Sequence, residues 1–389
     1  MVSRFVRLAG VRCFALVLVS VFLAIPEASA YSVLTHEAII DSVWDASIKP
    51  LLLARFPAST PDELKTAHGY AYGGAILQDM GYYPNGSHLF SDLTHYVHSG
   101  QFVLNLIRES SNVNEYAFAL GSLAHYAADV NGHSIAVNRA EPMLYPRIAR
   151  KFGPVVTYED NPSAHLKTEF SFDVLQVARG YYAPQAYHDF IGFNVAKPAL
   201  SRAFQDTYCL GLDDVFDDVD HGISSYRHTV SELIPKATRV AWAMKKDAIE
   251  KNAPAGFARR KFIYNISDAG YRKEWGADYR KPGFGDRLVA FLLRLVPRIG
   301  PLRTLSFKTP TAPAEDLFMK SFDKTLDQYR SLLKSAGQPD FRLPDMNFDT
   351  GETPRPGAYR LADRANSEWN EKVKGVACPV RLASAPPAT

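Results

Sequence analysis

Apolar residues recur at helical spacing through most of the first 250 positions, and strand-like alternation is scarce. Residues 34–48 place Ile39, Ile40, Val43 and Trp44 on adjoining turns, with Thr35 at the position of an entry cap. Residues 62–77 predict a second helix, interrupted near Gly73 and Gly74, and residues 81–86, with Pro84 and Asn85, predict a loop. The same periodicity predicts helices over 93–108, 113–131, 165–179 and 187–208. It continues over 223–249 with a break or kink at Pro235, which has no backbone donor. Shorter helices are predicted at 256–266, 286–295, 315–335 and 356–374, separated by Pro and Gly. The expected architecture is an all-α core over about 31–250, its loops converging on one side. Residues 251–389 follow as a helical C-terminal extension or second domain, with a mobile Ala/Pro-rich terminus.

The N-terminus changes this picture. Arg4, Arg7 and Arg12 precede or open an apolar run over 13–25, and Ala28, Ser29 and Ala30 form a small-residue cleavage pattern. The run is shorter than the roughly 20 residues a membrane-spanning helix needs. Residues 1–30 are therefore expected to be a cleaved signal peptide, leaving Tyr31 first and the protein periplasmic or secreted. A hydrophobic fraction of 47% excludes a wholly disordered chain, and a net charge of +3 gives little reason for a general polyanion-binding surface. No stable nucleic-acid partner is favoured on that ground, and the oligomeric state is not legible. After cleavage Cys209 and Cys378 remain; one long bridge and two buried thiols both fit, and neither lies in a close-spaced thiolate metal motif.

The chemistry concentrates in one segment. His125 and Asp129 are four residues apart on a predicted helix, so both side chains lean to one face while Leu120, Leu123 and Tyr126 address the interior. His133 follows Gly132 near the predicted helix end. His165 and Glu169 repeat the four-residue spacing, with Leu166, Phe170 and Phe172 on neighbouring turns. One such pair is weak evidence, since a buried salt bridge uses the same spacing; two pairs are more specific. His36, Asp79 and His95 sit near element ends and supply the remaining imidazole and carboxylate donors for a zinc cluster. His36 also fits a capping or surface role, and Asp79 the cap of the turn at Gly81. His95 is preferred over His88 and His98 because it enters from the start of its predicted helix, and His68 remains a spare imidazole.

Together these residues resemble the bacterial zinc-dependent phospholipase C family, related in architecture to P1-type nucleases, over about 31–251. The resemblance rests on Tyr31 followed by Leu34, Thr35 and His36; on Leu77, Gln78 and Asp79; on the run from Leu120 through His125 to Asp129; and on His165 with Glu169. It implies an all-α phospholipase C/P1 nuclease-like helical bundle whose catalytic domain spans 31–250. It further implies that Asp79, His95, His125 and Asp129 hold one Zn²⁺, with Asp129 bridging to another, and that His133, His165 and Glu169 serve the second. The Tyr31 amino group and carbonyl with His36 would hold a third, giving two or three ions. Two departures stand out: Tyr31 replaces the family's tryptophan, and the family's histidine six residues after the bridging aspartate is replaced here by Ile135, with His133 at four. Gly132 is expected to permit a local rearrangement there.

The implied activity is hydrolysis of glycerophospholipids to diacylglycerol and a phosphorylated headgroup. Zinc suits it by lowering the pKa of bound water and neutralising phosphate charge, with Asp79 assisting proton transfer. Alternatives are a P1-like nuclease or other phosphoesterase, and a noncatalytic metal-stabilised interaction protein. No serine-hydrolase triad, P-loop or dinucleotide-binding pattern competes. Residues 288–299 combine apolar density with arginines, which fits contact with a phospholipid interface or a helix buried with its basic residues snorkelling outward.

Overall fold

The computed structural model describes residues 33–178, 193–234, 237–238, 240–241, 244–245, 306–338 and 340–376. Residues 1–30, Tyr31, Pro235, Cys378, the predicted helices at 256–266 and 286–295, and the apolar segment 288–299 lie outside the described residues. Among the described residues every regular element is helical, and the single exception is an isolated antiparallel bridge between Asn347 and Glu352. No helix among them is long and apolar enough to cross a membrane.

The chain opens with α1 (Val33–Val43), widens into a π turn (Trp44–Ile48) and continues as α2 (Lys49–Arg55). Thr35 does not cap α1. It lies inside the helix and donates from Oγ1 to Asp173 Oδ1 at 2.6 Å, while Asp173 Oδ2 accepts from Leu34 N at 2.9 Å. A carboxylate from a distant helix thus satisfies the donors that a local cap would have taken.

α3 (Pro61–Ala75) begins with a capping box between Thr60 and Glu63 and runs through Gly73 and Gly74 without interruption. The glycines allow a close approach to α6 (Val113–Asn131): a Cβ at Gly74 would fall 1.9 Å from the Phe118 carbonyl oxygen, and one at Gly121 would fall 2.1 Å from that of Ala71. α6 is started by Asn112, whose side chain accepts from the amides of Asn114 and Glu115. The predicted loop at 81–86 begins inside a 3-10 turn (Leu77–Tyr82) that seats Asp79 in the interior.

The helix predicted over 93–108 is two helices, α4 (His88–Tyr96) and α5 (Ser99–Glu109), divided at His98, whose φ of 52° is left-handed. Asp345 Oδ1 accepts from Gly100 N and Gln101 N, capping α5 from far along the chain. Past α6 the helical path does not stop at Gly132. It widens into a second π turn (Gly132–Val137), then forms α7 (Asn138–Leu144), α8 (Pro146–Phe152) and α9 (Pro162–Ala178).

α10 (Lys197–Tyr208) and α11 (Val219–His228) extend the bundle, and Phe90, Phe102, Phe204 and Tyr208 share its aromatic interior. Cys209 is disulfide-bonded. α12 (Ala312–Ala336) buries Phe318, Phe322, Tyr329 and Leu333 along one stripe, as its spacing requires. Tyr329 donates to the Leu120 carbonyl at 2.8 Å, and Phe318 stacks on Phe172. α13 (Arg360–Lys372) is held by Trp369 donating to the Tyr208 carbonyl at 2.8 Å and by Arg364 pairing with Asp92 at 2.8 Å. The described part of 251–389 therefore shares one continuous hydrophobic core with the N-terminal helices.

Candidate metal centre

Two groups of buried donors converge inside the bundle: Asp79, His95, His125 and Asp129 in the first, and His133, His165 and Glu169 in the second. None of these seven residues is more than 3% exposed. A tetrahedral zinc ion with ligands at 2.0–2.1 Å places its donor atoms about 3.3 Å apart. In the first group His95 Nε2 lies 3.2 Å from Asp79 Oδ1, 3.4 Å from Asp129 Oδ2 and 3.4 Å from His125 Nε2. His125 Nε2 lies 3.0 Å from Asp129 Oδ2 and 3.9 Å from Asp79 Oδ1. Those separations fit a single small cation. Both Asp129 oxygens and Asp79 Oδ1 are buried without a well-formed hydrogen bond, an arrangement that is costly unless a cation joins them.

The helices aim these rings. His125 Nδ1 lies 2.9 Å from the Ala75 carbonyl at the end of α3, a contact that the close glycine packing of α3 on α6 makes possible. His95 Nδ1 lies 2.7 Å from the Ser91 carbonyl one turn earlier in α4. With Nδ1 against a carbonyl, Nε2 of each ring is the nitrogen that faces the centre and can ligate a metal there. His95 stands near the end of its helix rather than the start expected from the sequence, because His98 divides the predicted element.

In the second group His165 Nε2 lies 2.7 Å from Glu169 Oε1, and His133 Nε2 lies 3.8 Å from the same oxygen. Gly132 needs no rearranged loop. His125, Asp129 and His133 form one four-residue stripe, and the π turn carries it past the end of α6. Three donors with carboxylate oxygens lacking hydrogen bonds make an open site, in contrast to the four-donor first group. His36 Nε2 lies 3.5 Å from Asp129 Oδ1, and its ring stacks on His125 at 4.6 Å, so Asp129 faces His36 with one oxygen and the first group with the other.

Proton placement differs between the groups. Burial alone would lower the His95 pKa, but the hydrogen bonds and charges of Asp129 and Asp79 outweigh it and push it up to about 10. His125 shifts upward on the same balance: burial opposes, and the charges of Asp129 and Asp79 prevail. Asp129 is held well below the usual range, burial being overcome by His125 and His95. In the second group burial, reinforced by His133, lowers His165 to about 3, and burial followed by the charge of Asp129 raises Glu169 well above its ordinary value. His36 is lowered to about 4 by burial and by His125. Without metal the upward shift of His95 favours its imidazolium beside the Asp129 carboxylate, whereas the opposite shifts of His165 and Glu169 both favour the uncharged form.

The other histidines weighed in the sequence lie elsewhere. His68 pairs with Asp41 at 2.9 Å and stacks on Trp44, His98 approaches Asp345, and His88 is exposed. Two buried carboxylates that the sequence did not single out flank the second group. Glu141, two further steps along the four-residue stripe from His133, lies 3.8 Å from His165 Nδ1, and burial followed by Asp160 raises its pKa to about 9. Continuing the stripe past His133 would have found it. Asp349 Oδ1 lies 2.5 Å from His133 Nδ1, and burial of Asp349 is outweighed by His133, which holds its pKa at about 2. No spacing signal points to Asp349, because it arrives on an irregular segment from the other end of the chain. Phe348 beside it packs on the rings of His95, His125 and Tyr126. Half-buried Tyr82 and Tyr158 lie against His95 and His165, respectively, at the edge of the centre.

An all-helical bundle enclosing buried histidine and carboxylate donors of this kind is the architecture of a metal-binding protein, and with the family match that follows it supports a metal-dependent hydrolase. Residues 35–218 match the family model described as zinc dependent phospholipase C. The matched segment contains all seven donors of the two groups and His36, and it ends before α12, α13 and Asp349. Comparison with curated proteins and with solved structures gives no match.

Proposed function

We propose that the protein is a zinc-dependent phospholipase C that hydrolyses glycerophospholipids at the glycerol side of the phosphate. The four-donor cage of Asp79, His95, His125 and Asp129, with separations suited to tetrahedral zinc, is the observation that carries this reading, and the family match supports it. Bound zinc supplies an activated water and neutralises charge on phosphorus. The chain's own residues do the rest: backbone carbonyls of Ala75 and Ser91 orient the two imidazoles, and Asp129 addresses both the cage and His36. Asp79 accepts the proton released as the water oxygen joins phosphorus. The bond from phosphorus to the glycerol oxygen breaks, and the proton taken up by Asp79 passes to that oxygen as diacylglycerol leaves. Two or three ions are proposed: one in the cage, one at His133, His165 and Glu169, and a third at His36 with the amino group of Tyr31.

This reading requires export. Removal of residues 1–30 would free the Tyr31 amine, and residues 31–250 would form the catalytic domain, acting on phospholipid at a membrane interface. The test uses mature protein with zinc present, measuring diacylglycerol by mass spectrometry alongside cleavage of single-stranded DNA and RNA, with His125→Ala as control. Diacylglycerol release that the control lacks is expected. Nucleic-acid cleavage without diacylglycerol across a lipid panel would replace this reading with a P1-like nuclease.

A further inference from the structure

Among the described residues, no backbone carbonyl stands behind the second group's histidines of the kind that aims His95 and His125. Behind His133 stands Asp349, buried to 2%, with Oδ1 at 2.5 Å from Nδ1. The carboxylate is itself fixed. Its Oδ2 accepts from Tyr96 Oη at 3.0 Å and from Tyr359 Oη, its carbonyl accepts from Asn138 Nδ2 at 2.7 Å, and its amide donates to Asn347 Oδ1 at 3.0 Å. Asn347 also closes the turn by accepting from Thr350 N and by bridging to Glu352. A carboxylate set this firmly behind one ring nitrogen fixes the tautomer and direction of the other. Here the other nitrogen, Nε2, faces Glu169.

We propose that Asp349 is a positioning residue for the second metal group, holding His133 by Nδ1 so that Nε2 is presented with His165 and Glu169. This assigns a role in the centre to a segment outside the family-matched residues 35–218. It rests on the zinc reading above and deepens it: the second group is completed only when the chain beyond α12 has docked.

The test uses the full mature chain and reads metal directly. Zinc is titrated against a chelator, and the visible spectrum of the cobalt-substituted protein is recorded for the wild type, Asp349→Asn, Asp349→Glu and Tyr359→Phe. The wild type should show separable zinc affinities. Asp349→Asn should weaken one class by roughly 10–100-fold, the range for residues that orient a ligand, change the cobalt bands of that class and leave the other class unaltered. Tyr359→Phe should shift the same class by less, and Asp349→Glu should recover part of the loss. Unchanged affinities in Asp349→Asn, or equal weakening of all classes, would overturn the proposal while leaving the phospholipase reading intact. Should Asp349→Asn not fold, Tyr359→Phe decides by the same criterion. A wild type that retains no zinc would overturn both.

Discussion

In the first donor group both imidazoles are backed by main-chain carbonyls of α3 and α4, whereas in the second they are approached from behind by the carboxylates of Asp349 and Glu141. A carbonyl at a helix end is fixed by the helix, so the first group's aim follows from packing α3, α4 and α6 together. A side-chain carboxylate must be positioned by its own contacts, and Asp349 obtains them from Tyr96, Tyr359 and Asn138. The difference teaches that one half of the centre is a property of the bundle and the other depends on a segment laid over it later in the sequence.

The largest effect that would break this comparison comes from Asp129, which lies within 3.5 Å of His36, His95 and His125. Asp129→Ala should empty the cage and lower phosphoester turnover by more than the roughly 100-fold upper range for outer residues, as measured by elemental analysis and lipid hydrolysis. Full zinc content in that variant would reduce the cage to a set of buried ion pairs. Next, Glu169→Gln should remove the second group's zinc and spare the first, so that elemental analysis finds about one equivalent fewer than in the wild type. Equal loss from both groups would mean that they form one cooperative unit.

Phe348→Ala should cost about 3–5 kcal/mol of stability, the usual range for emptying a buried phenylalanine site, measured by denaturant titration. Phe348 touches His95 and His125, yet its removal should weaken zinc at the second group more than at the first, because it loosens the segment that carries Asp349. The reverse order, read by chelator competition, would contradict the comparison. The smallest effect concerns protons in the zinc-free protein. Nitrogen NMR should find His95 protonated at neutral pH and His165 neutral down to about pH 3, in line with their opposite shifts. Because folding raises the His95 pKa, the stability it adds is complete below the unfolded value near 6.5 and is lost as pH rises through about 10.

The residues legible in sequence were those whose partners lie one helical turn away. α6 spans Val113–Asn131 as its periodicity predicts, and the His125/Asp129 and His165/Glu169 pairs are spaced for one face and lie at 3.0 and 2.7 Å. What stayed illegible depends on distant chain. Asp173 takes the capping role that local chemistry gave to Thr35, and Asp345 caps α5 from beyond α12. The Gly73 and Gly74 pair reads locally as a helix breaker but proves to be a close-contact face, where a side chain at Gly74 would strike the Phe118 carbonyl oxygen of α6 and one at Gly73 the carbonyl oxygen of Asn194. Asp349 joins His133 across more than two hundred residues, and no periodic pattern records such a meeting.

The hydrogen bond from Tyr329 to the Leu120 carbonyl spans 209 positions. At ~5–20 residues per second, a ribosome needs roughly 10–40 s to pass from one to the other. During that interval the face of α6 later covered by α12 is bare, an oily surface awaiting a helix not yet made. A nascent chain stalled or cut before α12 would carry every histidine of the centre and still present that surface to its neighbours, making aggregation its dominant fate.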